Sequence, residues 1–222
     1  MSRKKRFIFT DFDGSFCEKD IGHRIFRHFS DGKNSALVEE WKKGRISSRQ
    51  CMLKEAELIN ATEEEVLSFV GQFRLSPGAT ELYAYAFREG IPFYIVSDGS
   101  DIYIKEILRK YNLSGIPFFS NRVRIKGGRY IIEFPRNNNG CTRCGSCKGA
   151  RIAEIVGLDR SKSEVVFIGD GLSDLCALPQ ADIIFARGDL LDYCRVNKIP
   201  AFAYKDFYDI LKHIKNQIDS PE

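Results

Sequence analysis

Three short apolar runs in this chain end in similar polar clusters. FIFT (7–10) runs into Asp11-Phe12-Asp13-Gly14-Ser15, IPFYIVS (91–97) into Ser97-Asp98-Gly99-Ser100, and SEVVFIGD (163–170) into Gly169-Asp170-Gly171-Leu172-Ser173-Asp174. Helical periodicity fills the segments between them: ATELYAYAFREG to Gly90, then DIYIKEILRKY and KGARIAEIV. Strands alternating with helices predict a parallel, doubly wound sheet. In such a sheet ligands bind outside the carboxyl ends of the strands, so all three clusters converge on one crevice. The expected class is α/β, with a Rossmann-like doubly wound parallel sheet.

Residues 20–73 interrupt this alternation. DIGHRIFRHF, SALVEEWKKG, SSRQCMLKEAELI and TEEEVLSFVGQF all have helical character, and Thr62 with Glu65 forms a capping box. SPG at 76–78 ends the block. The chain therefore reads as a core of residues 1–15 and 77–222, with a small helical cap of residues 16–76 inserted after the first strand. RVRIKGGRYIIEF predicts a hairpin turning at Gly127-Gly128, ADIIFA and IPAFAY two further short strands, and FYDILKHIKNQI an amphipathic helix.

Residues i and i+2 of an extended segment point the same way, so Asp11 and Asp13 would repel each other. A divalent cation relieves that repulsion. Carboxylate oxygens suit Mg²⁺, which takes one or two protein carboxylates and keeps waters or phosphate oxygens. Asp170 from the third strand can complete the set. Gly14 allows a sharp turn and leaves backbone amides free to bind an anion.

In their order and spacing these clusters resemble the four motifs of the haloacid dehalogenase superfamily of phosphohydrolases: DFDGS the first, Ser97 the second, Lys148 the third and GDGLSD the fourth. The resemblance implies a Mg²⁺-dependent phosphomonoester hydrolase. Asp11 would be the nucleophile, forming an aspartyl-phosphate, and Asp13 the acid and then the base. Ser97 and Lys148 would hold phosphoryl oxygens. Asp11, the Asp13 carbonyl and Asp170 would bind the metal, with Asp174 supporting them. Gly14, Ser15 and Gly99 would belong to the phosphate-binding surroundings. Lys126 and Arg151 are the alternatives to Lys148, and Asp98 departs from the more usual Ser-Gly-Gly of the second motif.

The insertion sits where phosphoserine-phosphatase-like members carry a small helical cap, which implies a small phosphorylated metabolite. Candidate specificity residues in it are Glu18, Asp20, His23, Arg24, Trp41, Arg45 and Arg49. Glu55 falls where phosphoserine phosphatases place a carboxylate-gripping arginine, which counts against phosphoserine. FSNRVRIKGGRYIIEFP, the cysteine-rich loop just before Lys148 and FARGDLLDYCRVNKIPAFAYKDFYDI together resemble the 2-hydroxy-3-keto-5-methylthiopentenyl-1-phosphate phosphatases of methionine salvage. The phosphoethanolamine/phosphocholine phosphatases share a similar cysteine-bearing loop. A phosphotransferase, or a non-catalytic regulator that binds a phosphorylated ligand, remains the rival reading.

The loop CTRCGSCK places Cys141, Cys144 and Cys147 at C-x₂-C-x₂-C spacing. Zn²⁺ needs four ligands and no histidine is near in sequence; Cys17 is another potential donor. Zinc, a redox disulfide and free thiols all stay open, while Cys51, Cys176 and Cys194 read as small core residues. An odd count of 7 cysteines argues against a paired secreted framework and for a cytoplasmic protein with reduced thiols. A net charge of +4 is too weak to imply nucleic acid, and the basic start MSRKKR reads as a solvated terminus. No apolar run reaches the ~20 residues of a membrane span. The chain is expected to act as a monomer or homodimer.

Overall fold

The structure, a computed structural model, describes residues 4–135 and 138–219. Seven strands form one sheet among them: β1 (Lys5–Thr10), β2 (Phe93–Ser100), β3 (Phe118–Lys126), β4 (Arg129–Glu133), β5 (Ser163–Gly169), β6 (Ile183–Ala186) and β7 (Phe202–Ala203). Their order is β4-β3-β2-β1-β5-β6-β7. Every neighbouring pair is parallel except β3 with β4, the hairpin turning at Gly127 and Gly128. Register explains the convergence of the polar clusters. Thr10 aligns with Ile168 on one side and Ile95 on the other, so Asp11, Ser97 and Asp170 all emerge at one edge.

Alternation along the strands separates two apolar layers. Ile8, Ile95, Val166 and Ile168 face one cluster, while Phe7, Phe9, Val96, Val165 and Phe167 face the other. Each fully buried side chain of this size contributes roughly 1.5–3 kcal/mol. β1 starts earlier than its apolar run suggests. Lys5 and Arg6 belong to the strand, and Arg6 pairs with Glu164 on β5. Residues 1–3 of the basic start lie outside the described residues.

Helices α1 (Ile21–Phe29), α2 (Ser35–Lys42), α3 (Ser48–Ala56) and α4 (Glu63–Val70) follow β1 without an intervening strand. The expected box is present at α4, where the Glu65 amide donates to Thr62 Oγ1 and the Thr62 amide to Glu65 Oε2. A second box joins Ser47 and Gln50 at α3. Ile21, Ile25, Ile59, Val66 and Val70 share one apolar cluster with Ile8 and Phe12, so this helical block packs directly against the sheet face. α5 (Ala79–Arg88), α6 (Asp101–Lys110), α7 (Lys148–Val156), α8 (Gly188–Val196) and α9 (Phe207–Asp219) complete the fold. Lys110, in the last turn of α6, donates to the Gly71 and Phe73 carbonyls just past α4 and ties the block to the core. No helix among the described residues is long and apolar enough to cross a membrane.

Candidate active site

The chain leaves β1 through a wide turn in which the Phe16 amide donates to the Asp11 carbonyl and the Cys17 amide to that of Phe12. Gly14 holds the turn with φ of 72°, and a Cβ there would lie 2.3 Å from Asp170 Oδ2. Conformation and space thus both require glycine. The Arg187 guanidinium closes the turn from outside, donating to the Gly14 carbonyl and, over 3.0 Å, to that of Lys205.

Inside the turn, ligand oxygens of Asp11, Asp170 and Asp174 lie within 4.8 Å of one another. Lys148, the first residue of α7, reaches them from beneath: its Nζ is 3.1 Å from Asp11 Oδ1 and 2.6 Å from Asp174 Oδ1, and it donates to Ser173 Oγ over 2.7 Å. Burial opposes the lysine's charge, but Asp11 and Asp174 outweigh it and hold the ammonium well above the usual lysine range. Burial, reinforced by neighbouring carboxylates, pushes Asp11 well above the ordinary range and Asp170 up to about 7. Three crowded carboxylates exceed what one ammonium neutralises. An all-oxygen set with surplus negative charge is the donor chemistry that suits Mg²⁺. Asp174 is already occupied: Oδ2 accepts from the Asp170 and Gly171 amides, so it braces the turn around Asp170.

Asp13 sits apart from that trio. Its Oδ1 accepts from the Ile21 amide over 2.8 Å and its Oδ2 from the Tyr103 hydroxyl over 2.5 Å. Burial first, then Asp20, raises its pKa to about 7, against the pull of those hydrogen bonds. A carboxyl that titrates near neutrality suits both proton donation and acceptance. Gly99 leaves room for the contact, since a Cβ there would come within 1.7 Å of the Tyr103 hydroxyl.

Above these groups lies a cavity of about 460 Å³. Asp11, Asp13, Ser97, Gly99, Lys148 and Asp170 line its base. Its upper wall comes from the inserted helices, through Asp20, His23, Trp41, Cys51, Met52 and Glu55. Glu55 is buried and accepts from Asn34 Nδ2 over 2.8 Å; burial raises its carboxyl to about 7.

The other sequence candidates fall elsewhere. Ser15 is fully buried and donates to Asp170 Oδ1 over 2.8 Å. Glu18 is exposed, Arg45 pairs with Glu40 in solvent, and Arg49 lies over the Phe134 ring; none of these three lines the cavity. Asp98 points toward the cysteine loop, where its Oδ1 accepts from the Ser146 amide over 2.8 Å. Of the alternatives to Lys148, Arg151 pairs with Glu154 and Lys126 lies at the end of β3.

Tyr103 and Arg187 carry no motif that marks them as site residues. Tyr103 sits in the first turn of α6, directly after a cluster-bearing strand, and that position was its available signal. The expectation for Cys176 needs correcting. It does lie in a helical segment, the 3-10 helix Leu172–Gln180, but rather than only filling core its Sγ joins those of Cys141, Cys144 and Cys147, all within 4.8 Å of one another. Cys17 is not in that group; its thiol donates to the Arg74 carbonyl.

The profile of the haloacid dehalogenase-like hydrolases matches residues 8–179. The chain is 30% identical over 213 residues to the 2-hydroxy-3-keto-5-methylthiopentenyl-1-phosphate phosphatase of Brevibacillus brevis, covering 94% of this chain and 95% of that one. The protein of the same name from Geobacillus thermodenitrificans is 29% identical over 96% of this chain and 97% of its own length. Among solved structures, a phospho-aspartyl intermediate analogue of phosphoserine phosphatase superposes with a TM-score of 0.73 at 23% identity, covering 96% of this chain and 99% of that one.

Proposed function

Because this chain belongs to the haloacid dehalogenase-like hydrolase family, we propose that it is a Mg²⁺-dependent phosphomonoester hydrolase that works through an aspartyl-phosphate on Asp11. The observation that carries this reading is the buried Lys148–Asp11–Asp174 contact beside Asp170, at the base of the cavity. Asp11 and Asp170, with the Asp13 carbonyl, would hold Mg²⁺, which when bound supplies charge neutralisation for the transferring phosphoryl group.

Asp11 attacks phosphorus, and the bond to the ester oxygen breaks. Lys148 and Ser97 hold the phosphoryl oxygens, and the Lys148 ammonium opposes the burial that favours protonation of Asp11, drawing its carboxyl toward the ionised form that attacks. Protonated Asp13, held by Tyr103 and the Ile21 amide, gives its proton to the departing alkoxide. The resulting carboxylate then takes a proton from the water that cleaves the acyl-phosphate, which releases phosphate and restores both aspartates. The helices of residues 16–76 act as the cap that roofs the cavity and screens the intermediate from bulk water.

For the substrate, the 2-hydroxy-3-keto-5-methylthiopentenyl-1-phosphate ester is favoured by the relatives at about 30% identity. The mixed wall also supports it, with Met52, Cys51 and Phe26 available to a thioether tail. A second reading has its own observation. Asp20, Glu55 and Trp41 face the same cavity, a lining that suits a cationic amino-alcohol phosphate.

The test is hydrolysis of p-nitrophenyl phosphate with and without Mg²⁺, followed by a screen of the methylthiopentenyl ester, phosphoserine, phosphoethanolamine and phosphocholine. Turnover should require the metal and vanish in Asp11→Asn. Undiminished turnover in that variant would refute the nucleophile. Preference for phosphoethanolamine over the methylthiopentenyl ester would select the second reading.

A further inference from the structure

We propose that Cys141, Cys144, Cys147 and Cys176 form a tetrahedral thiolate centre for one Zn²⁺, which clamps the first turn of α7, and so Lys148, onto the turn that carries Asp174. The four Sγ atoms lie within 4.8 Å of one another, and those of Cys144 and Cys176 are 3.9 Å apart. Four thiolates about 2.3 Å from a central zinc stand about 3.8 Å from each other. A disulfide needs about 2.05 Å, and all four cysteines are free. Sulfurs within 4.8 Å of one another suit a single ion rather than a polynuclear iron–sulfur cluster, and an all-sulfur set selects against Mg²⁺ or Ca²⁺.

The loop is shaped for this without help from the metal. The buried Asn138 donates through Nδ2 to the carbonyls of Cys144 and Gly145, and its Oδ1 accepts from the Cys147 amide. Asp98 receives the Ser146 amide, so the loop is also anchored to the end of β2. These bonds turn three thiols inward, and the turn after β5 brings the fourth.

The placement gives the centre its function. Cys147 immediately precedes Lys148, and Cys176 lies two residues beyond Asp174. The two segments touch: a Cβ on Gly149 would lie 1.9 Å from the Cys176 carbonyl oxygen. An ion bonded to both segments fixes the distance over which Lys148 reaches Asp174. Binding displaces the thiol protons to solvent, and no electron is transferred.

Metal analysis of the full chain, purified under reducing conditions without chelator, tests the proposal. About one zinc per chain is expected, and Co²⁺ in its place should show the visible bands of a tetrahedral thiolate site. Cys176→Ser should lose most of the zinc. In the folded fraction of that variant, inhibition of p-nitrophenyl phosphate hydrolysis by inorganic phosphate should weaken about tenfold; the accompanying loss of zinc is the readout that a cysteine used only for packing would not produce. Zinc below about one tenth per chain, iron in its place, a disulfide found by alkylation and mass analysis, or full zinc retention by Cys176→Ser would each overturn the proposal. If Cys176→Ser does not fold, the zinc content and cobalt spectrum of the unaltered protein decide. Loss of activity in Asp11→Asn with zinc still bound separates this inference from the catalytic one.

Discussion

The ammonium of Lys148 lies 3.1 Å from the carboxylate of Asp11, and both side chains are withdrawn from solvent. Asp174 shares the same ammonium, so one cation serves two buried anions. Removing it leaves two buried carboxylates without their cation, which must either stay unpaired or take up protons, at a cost in stability either way. Lys148→Ala should therefore cost about 3–5 kcal/mol in urea unfolding without Mg²⁺. Added Mg²⁺ should restore more stability to the variant than it adds to the unaltered protein, because the metal replaces part of the missing charge. Equal gains in both would mean that the metal does not meet these carboxylates.

Tyr103 holds Asp13 by a single hydroxyl while its ring packs beside Phe12. Tyr103→Phe keeps the ring and removes the bond. The kcat for p-nitrophenyl phosphate should fall about tenfold with KM little changed, because Asp13 acts on the leaving group rather than on binding. A rise in KM alone would instead assign Tyr103 to the substrate.

Gly99→Ala should be the harsher change at this point. The new methyl group would meet both the Tyr103 hydroxyl and, at 2.6 Å, Asp13 Oδ2. One of the two must move, so kcat should drop by about 10²-fold or more, beyond the loss in Tyr103→Phe. Steady-state kinetics of the two variants side by side make the comparison.

Glu55 sets a pH dependence of stability. Its carboxyl titrates near 4.5 when exposed and at about 7 in the fold, because burial disfavours the charged form. Between those values the folded state binds more protons than the unfolded state, so this group's contribution to stability is lost as pH rises through the window. Glu55→Gln removes that dependence and keeps an acceptor for Asn34. The variant should melt higher than the unaltered protein by about 2–5 °C at pH near 8. The gap should narrow toward about pH 5. A gap that widens on acidification would reverse the assignment.

The chain order of apolar runs and acid clusters was enough to determine the parallel sheet, the helical insertion and the meeting of Asp11, Asp13, Ser97 and Asp170, because strand periodicity and strand-end chemistry are local properties. Lys148 was legible only through the family resemblance, beside the alternatives Lys126 and Arg151, because a lysine opening a helix is by itself an ordinary surface pattern. Tertiary structure alone decided what lies between elements. Tyr103 reaches Asp13 from another helix, and Arg187 pins the turn at Gly14 from beyond β6. Arg49 turns onto Phe134 while Glu55 faces the cavity, a choice made by how the inserted helices pack. Cys176 joins three thiols distant in sequence because the register of β5 beside β1 carries its turn over the start of α7. Which side chains touch across elements follows from packing directions that no local pattern encodes.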